Sequence, residues 1–209
     1  MSICYIIGSA PFDKSTFISP SKDDFVICAD GGYDTLLPLG ITPDLIVGDF
    51  DSIFETKNYQ GEIIRLVPEK DDTDMLSAVK TALSRGWREF YLYGGLGGRL
   101  DHTFANIQLL SYLLDRHAKG TLFDGKTMVT MIEDGNIELK KEDDCYFSVF
   151  SFTESCPNVT LKGVKYPLNH ACITSSFPIG VSNEITEDKA EISNQGGRLL
   201  IMLTPKKPQ

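Results

Sequence analysis

The chain has 209 residues, of which 42% are hydrophobic and 23% are charged, as in ordinary globular proteins that form one large domain or two small ones. Its formal net charge of -9 argues against nonspecific binding to nucleic acid or to an anionic membrane surface. Its five cysteines form no CxxC pair, and it lacks both a basic N-terminal signal region and a long apolar stretch, so we predict a cytoplasmic location.

The first half of the chain alternates predicted strands and helices. Short apolar, β-branched runs predict strands at 2–8, 25–29, 44–47, 61–67 and 89–93. Helical periodicity predicts helices at 33–39, at 74–85 and from the glycine-rich stretch 94–102 to about residue 116. Either Thr73 or Asp72 is placed to cap the second helix, and Gly86 to end it. This alternation predicts an α/β fold, in which helices flank both faces of a mostly parallel sheet.

From about residue 120 the pattern changes to short, alternating runs that are typical of antiparallel strands. These runs begin near residues 121, 127, 136, 146, 158, 191 and 198. Turn-forming pairs such as Asp134-Gly135 separate them. We therefore predict a C-terminal antiparallel β domain, a sandwich or a barrel, and a domain boundary near 119–121.

The stretch 47–52, with the sequence VGDFDS, ends the third predicted strand with two carboxylates, Asp49 and Asp51. Two like charges this close repel each other unless a cation lies between them, and Mg²⁺ prefers oxygen ligands of this kind. The same stretch equally fits a solvated turn, because Gly, Asp and Ser all favour turns.

Acidic residues follow four of the predicted strands. They are Asp30 after the second strand, Asp49 and Asp51 after the third, Asp71, Asp72 and Asp74 after the fourth, and Asp101 after the fifth. In α/β sheets, ligands bind beyond the carboxyl ends of the strands. The repeated coincidence favours a metal and phosphate site over a set of unrelated solvated turns.

The stretch 94–102, with the sequence GGLGGRLDH, joins the fifth predicted strand to the third helix. Its glycines allow backbone N–H groups to approach phosphate oxygens, and Arg99 has two donors for the same purpose. The stretch matches neither the Walker loop nor the dinucleotide fingerprint. His102 either binds a ligand or forms a local hydrogen bond in the helix, and Lys70 is either a second phosphate contact or a solvated side chain. Carboxylates, an arginine and a glycine-rich loop together suit phosphoryl or pyrophosphoryl transfer.

Five motifs in order resemble the thiamine pyrophosphokinase family. They are ADGGYDTLLPLGITPDLIVGDFDS at 29–52, KDDTDM at 70–75, GGLGGRLDHTFANI at 94–107, GVKYPL at 163–168 and GVSNE at 180–184. The resemblance implies an enzyme that transfers pyrophosphate from ATP to the hydroxyl of thiamine, giving thiamine diphosphate and AMP. It implies an α/β domain over 1–119 that binds ATP and Mg²⁺. It also implies a β-sandwich over 120–209 that binds thiamine and forms a homodimer with thiamine sites between subunits.

The resemblance also implies roles for individual residues. The acidic set around Mg²⁺ and the phosphates comprises Asp30, Asp49, Asp51, Asp72, Asp74 and Asp101, and Asp71 matches the same motif. All of this set except Asp30 are predicted metal ligands, and Asp51, Asp72 and Asp101 are also the candidates for the base that accepts the hydroxyl proton. The predicted contacts to phosphate or nucleotide are Asp30, Gly97, Gly98, Arg99 and His102. The predicted thiamine contacts are Tyr166, Ser182 and Asn183; Tyr166 either stacks on the cationic thiamine or is a half-buried residue of the sandwich.

The expected reaction is in-line attack of the thiamine hydroxyl on the β-phosphorus of ATP, with Mg²⁺ bridging the phosphates. Three alternatives remain open. The acceptor is a different alcohol, such as a pterin; or water replaces the acceptor, so that the protein is a metal-dependent phosphohydrolase; or the protein binds nucleotide without catalysis.

Overall fold

The computed structural model describes residues 2–48, 59–66 and 72–207. The chain divides into two compact units, Met1–Gly125 and Lys126–Gln209. The strands of the first unit are β1 (Cys4–Ile7), β2 (Phe25–Ala29), β3 (Leu45–Gly48), β4 (Glu62–Arg65), β5 (Glu89–Tyr93) and β6 (Lys119–Asp124). Its helices are α1 (Gly32–Leu36), α2 (Asp74–Ser84) and α3 (Leu100–Leu114), with single 3₁₀ turns at Lys14–Thr16 and Leu37–Leu39.

The strands of the first unit form a parallel sheet in the order β4-β3-β2-β1-β5-β6. The chain builds outward from β1 to β4, and α2 then carries it back to place β5 on the free side of β1. The direction of winding therefore reverses between β1 and β5, which is where doubly wound sheets bind their ligands.

Helices cover both faces of this sheet. Helix α2 packs on β1, β2 and β3 through buried side chains such as Met75 and Val79. Leu110 and Leu113 of α3 pack beside Gly120 on the same face. On the opposite face, α1 contributes Tyr33 to an aromatic and aliphatic cluster. The predicted α/β architecture is therefore confirmed.

The ends of α2 follow from local chemistry. The hydroxyl of Thr73 accepts a hydrogen bond from the Leu76 N–H at 3.2 Å, so Thr73 rather than Asp72 caps the helix. Gly86 has a left-handed φ of +92°, which ends the helix. Apolar spacing predicts one buried side of α3 with Phe104, Ile107, Leu110, Leu113 and Leu114, and this prediction is partly wrong, since Phe104 is 56% exposed. The buried face instead runs along one stripe that consists of Asn106, Leu109, Leu110 and Leu113.

The second unit is built from antiparallel strands. They are β7 (Thr127–Glu133), β8 (Asn136–Lys140), β9 (Cys145–Ser151), β10 (Ser155–Lys162), β11 (Leu168–Thr174), β12 (Lys189–Ser193) and β13 (Arg198–Pro205). In this unit β13 lies between β7 and β9, and a second sheet has the order β11-β10-β12-β8. Apolar side chains of both sheets, including Phe147 and Leu161, share one core. This arrangement confirms the predicted sandwich.

Two features differ from the sequence-based expectation. Strand β6 pairs in parallel with β5 and spans the predicted boundary at 119–121, so the first unit extends to Gly125. Strand β11 was not predicted, because Ile173 is its one fully buried residue and its run shows no alternation. Within the described ranges, every helix is too short or too polar to cross a bilayer.

Candidate active site

A cleft of about 200 Å³ lies at the carboxyl ends of β1 and β5, where the sheet reverses its winding. Its lining comes from the ends of β1, β2 and β5, from the first turn of α2 and from the first two turns of α3. The lining residues are Gly8, Ser9, Ala29, Asp30, Thr73, Asp74, Met75, Gly94, His102 and Asn106. Three of the predicted site residues, Asp30, Asp74 and His102, therefore share one cleft.

The floor of the cleft is a close contact between two backbones. The Gly8 N–H donates to the Tyr93 carbonyl at 2.8 Å, and the Ala10 N–H donates to the Gly94 carbonyl at 3.2 Å. A Cβ atom on Gly94 would lie 2.4 Å from the Gly8 carbonyl oxygen, and the φ of Gly94 is +64°. Glycine is thus required at Gly94 both for space and for backbone conformation.

Asp30 is the first residue after β2 and has a left-handed backbone with φ +48°. Its N–H donates to the Val47 carbonyl at 2.9 Å, so the turn is tied to the neighbouring β3. Asp tolerates this conformation better than most residues that carry a Cβ. The turn places Asp30 on the cleft wall.

Asp74 is the first residue of α2, directly after the capping Thr73. A carboxylate at this position is stabilised by the positive end of the helix dipole. Asp30 and Asp74 line the same cleft, and two carboxylates supply the hard oxygen ligands that a divalent cation such as Mg²⁺ prefers. These two residues therefore fit the predicted metal.

Asp74 is a predicted metal ligand and Asp30 a predicted nucleotide contact; of the other predicted metal ligands, those that the structure describes do not line this cleft. Among the residues that the structure describes, no three Asp, Glu, His or Cys side chains are arranged to hold a metal ion. Asp49 and Asp51, the pair predicted to follow β3, lie outside the described residues, as do Asp71 and Lys70. Their roles stay predictions.

The glycine-rich loop before α3 is held by the helix that it introduces. The Asn106 amide nitrogen donates to the Gly95 carbonyl at 2.8 Å, and the Thr103 hydroxyl donates to the Gly97 carbonyl at 3.1 Å. Gly97 and Gly98 have positive φ angles of +76° and +64° and are exposed. The loop thus presents a backbone of restricted conformation that suits an anion.

Two predicted site residues of this loop form an ion pair with each other. The Arg99 guanidinium contacts both carboxylate oxygens of Asp101, at 2.6 and 3.2 Å. This pairing holds the pKa of the Asp101 carboxyl below its usual range and raises the pKa of Arg99. Both side chains are largely exposed, and neither lines the cleft.

Asp72 is also engaged elsewhere. The Lys80 ammonium, two turns along α2, lies 2.6 and 2.8 Å from the two carboxylate oxygens of Asp72. Asp72 does not line the cleft with Asp30 and Asp74. Its predicted part in catalysis and metal binding therefore requires release from Lys80.

The predicted thiamine contacts lie in the second unit. The ring of Tyr166 is exposed, whereas Asn183 is only 5% exposed and bonds the Tyr166 backbone with its side chain. Ser182 is exposed, has φ +59°, and its N–H donates to the Ser148 hydroxyl at 3.0 Å. Tyr166 and Ser182 are thus exposed to a ligand. Asn183 is buried, and its side chain is hydrogen-bonded within the protein.

Several residues of the cleft were not predicted as site residues. Gly8 and Ser9 directly follow β1, and ligands bind beyond the carboxyl ends of such strands. They were not predicted as site residues because they carry no charge. Asn106 lies within the motif at 94–107. It could have been identified as a polar side chain on the otherwise apolar stripe of α3. Gly94 also lay in a quoted motif, but its contact with Gly8 depends on two strands that are distant in sequence.

Comparisons with known proteins agree over both units. Residues 19–122 match the family model described as thiamin pyrophosphokinase, catalytic domain, and residues 135–199 match thiamin pyrophosphokinase, vitamin B1 binding domain. The thiamine pyrophosphokinase of Bacillus subtilis is 35% identical over 185 residues, which cover 85% of each chain.

Solved structures give the same result. The fold is similar to the crystal structure of thiamine pyrophosphokinase from Bacillus subtilis, with a TM-score of 0.86 and 30% identity over 99% of this chain and all of that chain. It is also similar to that of thiamin pyrophosphokinase from Geobacillus thermodenitrificans, with a TM-score of 0.83 and 28% identity over 97% of each chain. With motifs, cleft, sequence and fold in agreement, the chain belongs to the thiamine pyrophosphokinase family.

Proposed function

We propose that this enzyme transfers the terminal pyrophosphate of ATP to the hydroxyl of thiamine and forms thiamine diphosphate and AMP. The observation that carries the proposal is the cleft at the ends of β1 and β5. There Asp30 and Asp74 face the same space as His102, beside a glycine-rich loop, in a chain of this family. Such a cleft suits a metal-bound polyphosphate better than an uncharged ligand.

Asp74, a predicted metal ligand, would hold Mg²⁺ in the cleft, with Asp30 beside it on the cleft wall. Asp49, Asp51, Asp72 and Asp101 are the further predicted metal ligands. When bound, the cation neutralises phosphate charge and aligns the transferred group. The chain itself supplies carboxylates from different elements, so that the site is assembled by the fold and not by one local segment.

The loop and the first turn of α3 bind the phosphates in this proposal. The N–H groups around Gly97 and Gly98 and the positive end of α3 attract phosphate oxygens. Arg99 exchanges its bond to Asp101 for bonds to phosphate, which an exposed pair allows at small cost. His102, on the cleft wall, is placed to donate to the nucleotide.

In the proposed transfer, the hydroxyl oxygen of thiamine bonds to the β-phosphorus of ATP in line with the leaving oxygen. The bond from the β-phosphorus to the oxygen that bridges to the α-phosphorus breaks, and AMP leaves with the electron pair. The hydroxyl proton passes to a carboxylate, directly or through water. Asp51, Asp72 and Asp101 are the candidates, and Asp101 is a weak base while Arg99 lowers its pKa.

Thiamine binds, in this proposal, through Tyr166 and Ser182 of the second unit, and the working enzyme is a homodimer. The exposed ring of Tyr166 offers a π face to the fixed positive charge of thiamine. Sedimentation of the pure protein tests the dimer: a monomer at working concentrations would remove that part of the proposal.

The activity is tested by incubating the pure protein with ATP, MgCl₂ and thiamine, and by separating the nucleotides and the thiamine species. We expect AMP and thiamine diphosphate in equal amounts, and only with Mg²⁺. ADP with thiamine monophosphate would contradict attack on the β-phosphorus. AMP or phosphate released without thiamine would favour hydrolysis, turnover of another alcohol would change the acceptor, and ATP binding without products would favour a binding module.

A further inference from the structure

The side chain of Asn183 uses almost all of its hydrogen-bonding capacity within the protein. Its amide oxygen accepts from the Tyr166 N–H at 3.0 Å and from the Glu184 N–H at 2.8 Å. Its amide nitrogen donates to the Tyr166 carbonyl at 2.8 Å. A side-chain amide has two acceptor and two donor positions, so three of the four are occupied. With 5% exposure, this side chain offers little to a ligand.

These bonds extend a short antiparallel pairing between 163–166 and 183–186. Lys165 N–H donates to the Glu184 carbonyl at 2.9 Å, and Thr186 N–H donates to the Gly163 carbonyl at 2.9 Å. At the end of this pairing, the Asn183 side chain takes the place of a backbone partner for Tyr166. It bonds both the N–H and the carbonyl of that residue.

The same residue anchors the pairing to the sandwich. Phe147 N–H, on β9, donates to the Asn183 carbonyl at 2.8 Å. The backbone of Tyr166 is therefore connected through one side chain to a core strand, whereas its ring is 61% exposed. A fixed backbone leaves the ring only its own side-chain rotamers, which reduces the ordering cost of ligand binding.

A neighbouring lysine already lies over one face of the Tyr166 ring, and its charge is balanced by a glutamate. The Lys165 ammonium lies 5.6 Å from the centroid of the Tyr166 ring and forms an ion pair with Glu184 at 2.7 Å. Because Glu184 balances the charge of Lys165, repulsion of a second cation at the exposed ring is reduced.

We propose that Asn183 is a positioning residue: it fixes the backbone of Tyr166 so that the exposed ring is oriented for thiamine, and it does not bind thiamine itself. This inference rests on the proposed function, since it takes Tyr166 as the contact for a cationic substrate.

The test is a double-mutant cycle with Asn183→Ala and Tyr166→Ala, measured as KM for thiamine, KM for ATP and kcat. We expect Asn183→Ala to raise KM for thiamine about 10-fold, the scale of losing a residue that orients a ligand contact. The KM for ATP and kcat at saturating thiamine change less than about twofold. In the Tyr166→Ala background, removal of Asn183 adds less than about twofold, because its effect passes through the missing ring.

Asn194→Ala is the matched control. Asn194 is 1% exposed in the same unit, and its amide nitrogen donates to the Gly197 carbonyl at 2.8 Å. We expect both alanine variants to lower the unfolding temperature, but only Asn183→Ala to raise KM for thiamine. Asn183→Asp keeps both acceptors and loses the donor, so it provides a milder variant that is expected to retain part of the affinity.

Hydrogen exchange gives a readout that does not depend on substrate. We expect the Tyr166 amide to exchange faster in Asn183→Ala and at the wild-type rate in Asn194→Ala. An equal increase in KM for thiamine in both backgrounds would overturn the inference, as would an unchanged Tyr166 amide or an unchanged KM in Tyr166→Ala. The two conclusions are separated by the wild type: if it does not convert thiamine, the proposed function fails, whereas failure of the inference alone leaves its thiamine turnover intact.

Discussion

The cleft of the first unit and the paired stretches 163–166 and 183–186 of the second unit, here called the Tyr166 segment, both contain predicted binding residues. Their polar side chains make different contacts. In the cleft, Asp30 and Asp74 project from the ends of different elements into one space. In the second unit, the amide of Asn183 is spent on the backbone of Tyr166. In the first region the polar side chains line an open cleft. In the second region the polar side chain of Asn183 bonds the backbone of a residue whose ring is exposed.

The difference has a topological origin. The carboxyl ends of parallel strands meet at one edge of the sheet, so residues that follow them converge whatever their identity. No comparable rule says where the side chains of the Tyr166 segment point, because this segment does not follow a parallel strand. Whether a polar side chain there bonds the backbone depends on individual hydrogen bonds: the Asn183 side chain accepts from the Glu184 N–H, whereas the neighbouring Ser182 is exposed.

Asp74→Asn tests the cleft most strongly. We expect turnover to fall by about 100-fold or more, the scale of removing one charge-stabilising group from an active site, because a neutral amide cannot replace the carboxylate beside polyphosphate and metal. Steady-state rates at saturating Mg²⁺ measure the loss, and circular dichroism checks the fold. Asp34→Asn is the matched control, since Asp34 is also in the first turn of a helix but does not line the cleft. Wild-type turnover in Asp74→Asn would remove Asp74 from the site.

Gly94→Ala tests whether the floor of the cleft depends on close backbone contact. We expect it to lower the free energy of unfolding by about 3 kcal/mol or more, because left-handed strain and overpacking add together. Gly97→Ala has the same sign of φ but open space around the added Cβ, so its cost is about 1–2 kcal/mol from strain alone. Urea unfolding of the two variants measures the difference. Equal losses would mean that the contact between Gly94 and Gly8 is not tight in solution.

Asn106→Ala tests the hydrogen bond that supports the glycine-rich loop. Asn106 in the first unit corresponds to Asn183 in the second, because the side-chain amide of each donates to a backbone carbonyl. The substitution leaves the buried carbonyl of Gly95 without its donor, at a cost of about 1–3 kcal/mol in unfolding free energy. Looser positioning of the loop is also expected to raise the KM for ATP while leaving the KM for thiamine unchanged. Gln108→Ala, which removes an exposed amide from the same helix, is the control. A rise in KM for thiamine instead would contradict the assignment of this loop to phosphate.

The limits of two largely buried strands were predicted correctly. Strands β2 and β5 match their predicted limits, because their apolar runs end at charged or glycine residues. Strand β11 was missed, because most of its side chains are at least partly exposed and leave no apolar pattern. Phe104 of α3 was predicted to be buried but is exposed. Helical periodicity identifies apolar stripes but does not decide which of two adjacent stripes is buried.

The site was predictable in position and less so in pairing. Asp30 and Asp74 were singled out because they follow strands, and His102 because it ends the glycine-rich stretch; all three line the candidate cleft. Arg99 and Asp101 were assigned to phosphate and metal separately, yet they contact each other, because opposite charges two residues apart in an exposed turn meet when no ligand separates them. The sequence identifies the charged groups, and the structure shows that these two already pair with each other.

Glu184→Gln tests the ion pairs that flank the Tyr166 segment, and its effect is the smallest. Hydrogen bonds from Lys165 and Lys206 lower the pKa of Glu184 from its usual 4.5 to about 2. Because the folded pKa is depressed, this stabilisation is present above pH 4.5 and is lost as the pH falls toward 2. The unfolding temperatures of wild type and Glu184→Gln should therefore differ by a small, constant amount from pH 7 to 5 and converge between pH 4.5 and 2. Glu191→Gln, whose oxygen lies 3.9 Å from the Lys162 ammonium, is the control and should show a weaker effect. A difference that persists unchanged at pH 3 would mean that the three side chains do not form this network in solution, and that Tyr166 is oriented by the Asn183 hydrogen bonds alone.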